Sequence, residues 1–148
     1  MPEPHVGKHE VRISEQVHAP LDTVFAFFAD HHQFVSLFGA RCTIVRTADG
    51  AEPDGVGSIR RIGPGPLSFD EEIVVFERPA RIDYAIVRGG PLKHHRGTIR
   101  FKAVPGGTEV DYVIRFDSRV PGLGGLFVKG LQRIWAREAR KALATLER

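Results

Sequence analysis

Glu138 stands in the middle of an apolar helical stripe. From Phe127, the positions Leu131, Ile134, Glu138, Ala142 and Thr145 recur at three- and four-residue spacing, which aligns side chains along one face of a helix. Val128, Trp135 and Leu146 flank the stripe, and Lys129, Gln132, Arg133, Arg137 and Arg140 take the opposite side. An acid on such a face must find a partner or take up a proton, because an unpaired buried carboxylate is costly. Two readings are open. Glu138 is a pocket acid that orients a ligand hydroxyl or moves a proton, or it reaches the helix edge to meet Arg137, Lys141 or an arginine on a strand.

His95 shares strand parity with Ile99 and Phe101, which aims it at the same side as these apolar residues if no bulge intervenes. An imidazole facing a carboxylate across a cavity would serve as general acid or base near neutral pH. Its alternative is a local hydrogen bond near the strand end, and His94 points the other way, to solvent. Glu71 shares parity with Ile73 and can pair with Arg60 on the preceding strand, since neighbouring strands set opposite charges side by side. That pairing reads first as structural and second as catalytic. Tyr84 and Tyr112 are wall aromatics whose hydroxyls need partners when buried; donation to a ligand carbonyl is the other use open to them.

Several chemistries lack the residues they need. The adjacent pairs His31-His32 and His94-His95 cannot chelate from one side of a strand, and His5 and His9 fall in an expected tail, so no metal site is expected. There is no Gly-x-Ser-x-Gly elbow, and Cys42 has no histidine close in sequence to activate it. A buried structural thiol is its reading. Gly63-Pro64-Gly65-Pro66 lacks the Lys-Ser or Lys-Thr of a phosphate loop. Pro121-Gly122-Leu123-Gly124-Gly125 reads as a hinge leading into the last helix, and the basic outer face of that helix as solvated.

These candidates must be positioned by elements that the pattern also reveals. Residues 1–8 are expected to be a flexible leader and 9–148 a single domain. Val11, Ile13 and Val17 predict a first strand ending at Ala19-Pro20. Pro20 and Asp22 suit a helix start, and Leu21, Val24, Phe25 and Phe28 carry helical spacing up to Asp30-His31. Phe34, Leu37 and Phe38 form a second short helix closed by Gly39. Strands are then predicted at about 41–47, 55–62, 68–77, 80–88, 93–103 and 108–117, separated by Gly/Pro/Asp turns. Val110, Tyr112, Ile114 and Phe116 alternate with Asp111, Arg115 and Asp117, the mark of an antiparallel sheet with one wet face. One curved sheet wrapped around the last helix buries all of these faces at once.

With 148 residues the chain can bury a real core. Its 42% apolar and 26% charged residues are ordinary for a globular protein. Ten Phe against one Met and one Trp make aromatic rings dominant in any interior. A net charge of +3, with basic residues spread along the chain, gives no footprint for nucleic acid. A single Cys excludes an internal disulfide. The N-terminal ten residues are polar, unlike a signal peptide, and no apolar run approaches the roughly 20 residues that span a bilayer. The expectation is a cytoplasmic protein without membrane insertion, monomer or homodimer.

Punctuating this order of elements are Ala19-Pro20 before Val24-Phe25, and Gly55-Val56-Gly57-Ser58-Ile59-Arg60. Glu71-Glu72-Ile73 runs through Phe76 to Pro79 and Tyr84, followed by Arg96-Gly97 and Gly107-Thr108. In these residues and their order the chain resembles the SRPBCC superfamily of START-like and polyketide cyclase/dehydrase-like domains. The resemblance covers the chain from about residue 9. It implies an α+β helix-grip fold: a curved seven-stranded antiparallel sheet around a long C-terminal helix, with two short helices between strands 1 and 2. It also implies a deep apolar cavity that holds lipids, polyketides or other hydrophobic molecules. Many relatives carry a Trp near the end of the second short helix, where this chain has Phe34 and Phe38.

Together these readings predict binding or transport of a small hydrophobic ligand, with no cofactor. The alternative is a polyketide cyclase, aromatase or dehydratase using His95, Glu138 or Glu71. The expected ligand wall is Phe28, Tyr84, His95, Phe101, Tyr112, Phe127, Leu131, Ile134, Trp135 and Glu138.

Overall fold

The computed structural model describes residues 5–148; the first four residues of the expected leader lie outside the described residues. Strand β1 (His9–Val17) is followed by two short helices, α1 (Leu21–Ala29) and α2 (His31–Ser36). Six strands come next: β2 (Cys42–Arg46), β3 (Ile59–Ile62), β4 (Phe69–Glu77), β5 (Arg81–Gly89), β6 (Leu92–Val104) and β7 (Gly107–Ser118). The C-terminal helix comprises α3 (Gly124–Ile134), a π-helical turn (Trp135–Ala139), α4 (Arg140–Ala144) and a closing 3-10 turn (Thr145–Glu147). The strands make one antiparallel sheet in the order β1-β7-β6-β5-β4-β3-β2, so the first strand closes onto the last. This is the helix-grip arrangement.

The chain enters α1 through Pro20, whose extended backbone precedes the first turn. Asp30 then does two jobs, ending α1 and accepting a 2.9 Å hydrogen bond from the Gln33 amide at the start of α2. Such a side-chain cap satisfies one of the free N–H groups of a helix start. Within the expected leader, the Gly7 amide bonds to the His94 carbonyl at 2.8 Å and the Lys8 amide to Asp117 at 3.1 Å. β3 is shorter than the 55–62 expected. Gly57 has φ of +94°, and Ser58 Oγ donates to the Gly55 carbonyl at 2.7 Å, so a turn precedes the strand while Gly57 and Ser58 already exchange backbone hydrogen bonds with Ile73.

Two aromatic layers fill the concave side beneath α1. Phe101 of β6 meets Phe25 at 5.0 Å and Phe28 at 5.2 Å, both edge to face. Phe25 and Phe28 are buried, each contributing roughly 1.5–3 kcal/mol of transfer free energy. Thr108 ties the far end together, its hydroxyl donating to the Ala19 carbonyl at 2.9 Å. Gly97 lies under the Tyr84 ring; a Cβ built there would overlap the ring.

β5 and β6 pair only between Arg81–Tyr84 and Gly97–Arg100. Beyond Tyr84 they diverge, and β6 carries a bulge between Lys93 and Arg96, with His94 at φ of 52°. The hollow part of the fold lies on this side, beneath α3.

Candidate functional site

A cavity of about 320 Å³ lies between the sheet and α3. Phe34, Val35 and Phe38 line it from the α2 side, and Phe127, Leu131 and Ile134 from α3. Ile62, Phe69, Ile86 and Ile114 give it an apolar strand wall, and the β5–β6 turn contributes Gly90, Pro91 and Leu92. Pro91 is exposed, which marks the open end. Three ionisable or hydroxylated side chains interrupt this wall: Glu71, Tyr84 and His95. A few convergent polar groups in an apolar cleft are the usual make-up of a small-molecule site, and this volume is near the lower end for such sites.

His95 keeps its place on the wall even though the bulge breaks the simple alternation. Where β5 has lost its partner strand, the Ile86 amide donates to His95 Nδ1 at 3.1 Å. The side chain thus replaces a missing ladder bond, and the neutral ring must carry its proton on Nε2. Burial, aided by the Arg60 charge and opposed by Glu71, holds the His95 pKa below the ordinary histidine value. The ring is therefore neutral at pH 7. Its centroid is 5.4 Å from that of Tyr84, whose hydroxyl shares a hydrogen bond with the Tyr112 hydroxyl. Burial raises the pKa of both phenols, so both remain protonated.

Glu71 is tied to a buried polar chain behind the wall. In register across β3 and β4, Arg60 Nε donates to Glu71 Oε1 at 2.8 Å. Arg60 is 1% exposed, and its guanidinium carbon sits 4.2 Å from the Phe34 ring centroid and 4.8 Å from that of Tyr84. Those ring faces recover part of the solvation that a buried cation loses. Arg60 Nη1 contacts His31 Nδ1 at 3.1 Å. An arginine can only donate, so His31 accepts there and its proton lies on Nε2, 2.9 Å from Ser58 Oγ. Burial first, and the Arg60 charge second, push the His31 pKa down to about 4. Arg60 Nη2 is the one buried side-chain nitrogen or oxygen without a partner among the described residues.

Five of the ten expected wall residues line the cavity: Tyr84, His95, Phe127, Leu131 and Ile134. The other five do not. Phe28 and Phe101 fill the core under α1. Tyr112 and Trp135 lie beneath the cavity wall, with ring centroids 5.6 Å apart, and Phe38 covers both.

Glu138 is at the helix edge. It pairs with Arg137 at 3.0 Å and Lys141 at 3.9 Å, and its Cγ would lie 3.0 Å from a Cβ on Gly39, whose φ is +67°. The π-helical turn explains the displacement. The extra residue in that turn makes Trp135, Ala139 and Leu143 the buried row, and Glu138 and Ala142 flank it.

Two participants escaped the sequence reading. His31, in sequence one of an adjacent histidine pair and part of the break after the first helix, is fully buried. Glu15 shares parity with Val11, Ile13 and Val17 on β1. It accepts from the Trp135 indole N–H and from Arg140, each at 2.9 Å. An acid interrupting an apolar alternation was the signal available for it.

Cys42 is half-buried, with its sulfur 3.6 Å from His32 Nδ1, and burial raises its pKa, so the thiol is not activated. Among the described residues, His5, His94 and Asp117 bring three donor atoms within 4.8 Å of one another. They lie outside the cavity, and His94 Nδ1 is already 2.8 Å from Asp117. No helix of the described residues is long and apolar enough to cross a membrane.

Solved structures similar to this chain have the same fold at low sequence identity. The Zhui aromatase/cyclase from Streptomyces sp. R1128 superposes with a TM-score of 0.73 at 17% identity, covering 94% of this chain and 93% of its own. A START superfamily protein from Mycobacterium smegmatis gives a TM-score of 0.71 at 16% identity, covering 92% and 94%. The structure of Ara h 8.0201 gives 0.63 at 16% identity, covering 92% and 98%. No curated protein matches the chain in sequence. The profile of the family described as "Polyketide cyclase / dehydrase and lipid transport" matches residues 8–148, and the chain belongs to that family.

Proposed function

We propose that this protein binds a small hydrophobic molecule in the cavity between its sheet and α3. The observation that carries the reading is the cavity itself: about 320 Å³ of space with an almost wholly apolar lining and its polar groups gathered near Tyr84. A well-packed interior leaves few voids larger than a water molecule, and an empty apolar space forfeits the contacts that a ligand would restore. A ligand burying about 250 Å² of apolar surface there would gain roughly 6 kcal/mol before the costs of association.

The neutral fluorophore N-phenyl-1-naphthylamine tests this directly. Its emission should rise on entry into the wild-type cavity and stay flat for Leu131→Trp, which fills the space from α3. Circular dichroism would verify that the variant is folded. Equal emission from the two proteins would place the probe elsewhere and refute the reading.

A second reading rests on a specific observation: His95 and Glu71, two groups able to transfer protons, line the same cavity. A cyclase or dehydratase acting on a polyketide-like substrate would use them as its acid–base pair in a water-poor site. Glu138, at the helix edge, takes no part. Turnover of such a substrate should then vanish in His95→Ala and in Glu71→Gln while probe binding persists; turnover surviving both changes would dismiss the enzyme.

A further inference from the structure

The hydrogen-bonding polarity of the cavity wall specifies the chemical class of its ligand. We propose that the ligand is an uncharged hydrophobe carrying a hydroxyl that donates to Glu71 and an oxygen that accepts from His95 Nε2, and that carboxylate-bearing hydrophobes are disfavoured. This rests on the binding reading above and narrows it.

Glu71 and His95 each have one role left to offer. Glu71 is the salt-bridge partner of Arg60, and as a carboxylate it only accepts. Its Oε1 takes the Arg60 Nε proton, and the carboxylate has no other hydrogen bond among the described residues. A group reaching it from the cavity must therefore donate. His95 has spent Nδ1 on the Ile86 amide, which leaves Nε2–H as its donor. A group reaching it must accept. Tyr84 shares one hydrogen bond with Tyr112 in which either hydroxyl can be the donor, so Tyr84 does not by itself favour a donor or an acceptor on the ligand.

The charge arrangement decides between an alcohol and an acid. Arg60 is the ion-pair partner of Glu71 at this end, and it is absent from the lining. Phe34 and Tyr84 cover its guanidinium, Nη1 is committed to His31 and Nε to Glu71. A ligand carboxylate would meet the Glu71 carboxylate on the wall, whereas Arg60 Nη2 is buried outside the lining. Like charges in a poorly solvated site repel strongly. An ammonium ligand would add a second cation to an ion pair that is already neutral, and would give up its hydration to enter. A neutral hydroxyl escapes both costs.

The test uses one ring system with different substituents, each displacing N-phenyl-1-naphthylamine from the full-length protein: naphthalene, 2-naphthol, 6-acetyl-2-naphthol and 2-naphthoate. The expected order of affinity is acetylnaphthol, naphthol, naphthalene, naphthoate. Naphthol should exceed naphthalene by roughly tenfold, the worth of one buried hydrogen bond to a charged acceptor. Glu71→Gln, which keeps an oxygen for Arg60 Nε, should erase most of the naphthol-over-naphthoate preference. Wild-type protein that binds naphthoate as tightly as naphthol overturns the proposal, and that comparison stands even if the variant fails to fold. Failure of every compound to displace a probe that Leu131→Trp does exclude also overturns it while leaving the cavity reading intact. A probe that ignores Leu131→Trp removes the underlying reading instead.

Discussion

Acidification from about pH 7.5 to about pH 4.5 should cost this protein about 2.5 kcal/mol of stability through His31 alone. The ring is fully buried, and its pKa lies at about 4 against the ordinary 6.5. Burial and Arg60 on β3 lower it, and the Asp54 and Asp30 carboxylates oppose them. Between those two values the unfolded chain holds a proton on residue 31 that the folded protein refuses. Stability therefore rises with pH across the window, is complete above about 6.5, and falls as pH drops toward 4. A shift of this size is worth about 3 kcal/mol in full, and most of it is expressed by pH 4.5.

The assay is urea unfolding at several pH values, followed by the emission of Trp135, the sole tryptophan and a buried one. The control is His31→Gln, which keeps a polar side chain beside Arg60 and Ser58 but cannot titrate. Wild type should lose about 2.5 kcal/mol more than the variant over the window, a midpoint difference of about 1–2 M urea. His95 changes stability in the same direction but does so in both proteins and cancels. Asp70, held at about 2 by Arg61 and Arg88, loses its contribution only as pH falls below the ordinary carboxylate range, and it cancels too. Parallel pH profiles for the two proteins would refute the assignment of His31 as a buried neutral acceptor for Arg60.

Two further substitutions probe the wall from behind. Arg60→Met removes the buried cation and leaves Glu71 unpaired, which should cost about 3–5 kcal/mol; thermal unfolding with a loss under about 1 kcal/mol would show that the pair is dispensable. Gly97→Ala places a methyl under the Tyr84 ring and should destabilise the protein by roughly 1–3 kcal/mol. It should also weaken binding of N-phenyl-1-naphthylamine, because Tyr84 can yield only toward the cavity it lines; unchanged stability and affinity would contradict that packing.

The elements were legible because their periodicities were unbroken. Val110–Phe116 alternates cleanly and lies in β7, and the Glu71–Arg60 pair could be read from parity on adjacent strands. What resisted was local departure from the ideal period. One π-helical turn moved Glu138 from the centre of a stripe to its edge and brought Trp135 inward. That turn has no sequence signature in a stretch as ordinary as Trp135-Ala136-Arg137-Glu138-Ala139. The bulge at His94-His95 left His95 on the wall for a reason that parity does not contain, the unpaired Ile86 amide. His31 was illegible because its partners lie more than 20 residues away on β3 and the loop before it.

The hollow and the solid halves of the fold follow from where the large side chains fall. Beneath α1, Phe25 and Phe28 reach down to Phe101 and close the space. α3 brings only Phe127, Leu131 and Ile134 to the cavity, over the part of the sheet where β5 and β6 have parted. The next large residue, Trp135, is drawn down onto Tyr112 by its indole bond to Glu15. Phe38 rests on both rings and in turn meets Phe34 at 5.8 Å. That aromatic stack is a floor: Phe34 and Phe38 face the cavity, and Tyr112 and Trp135 lie below it. Because the floor is anchored by Glu15 on one side and by the Arg60 guanidinium against Phe34 on the other, it cannot collapse upward without breaking buried polar contacts. The cavity is thus held open by Glu15 and Arg60, and Arg60 is also the partner of Glu71 at its polar end.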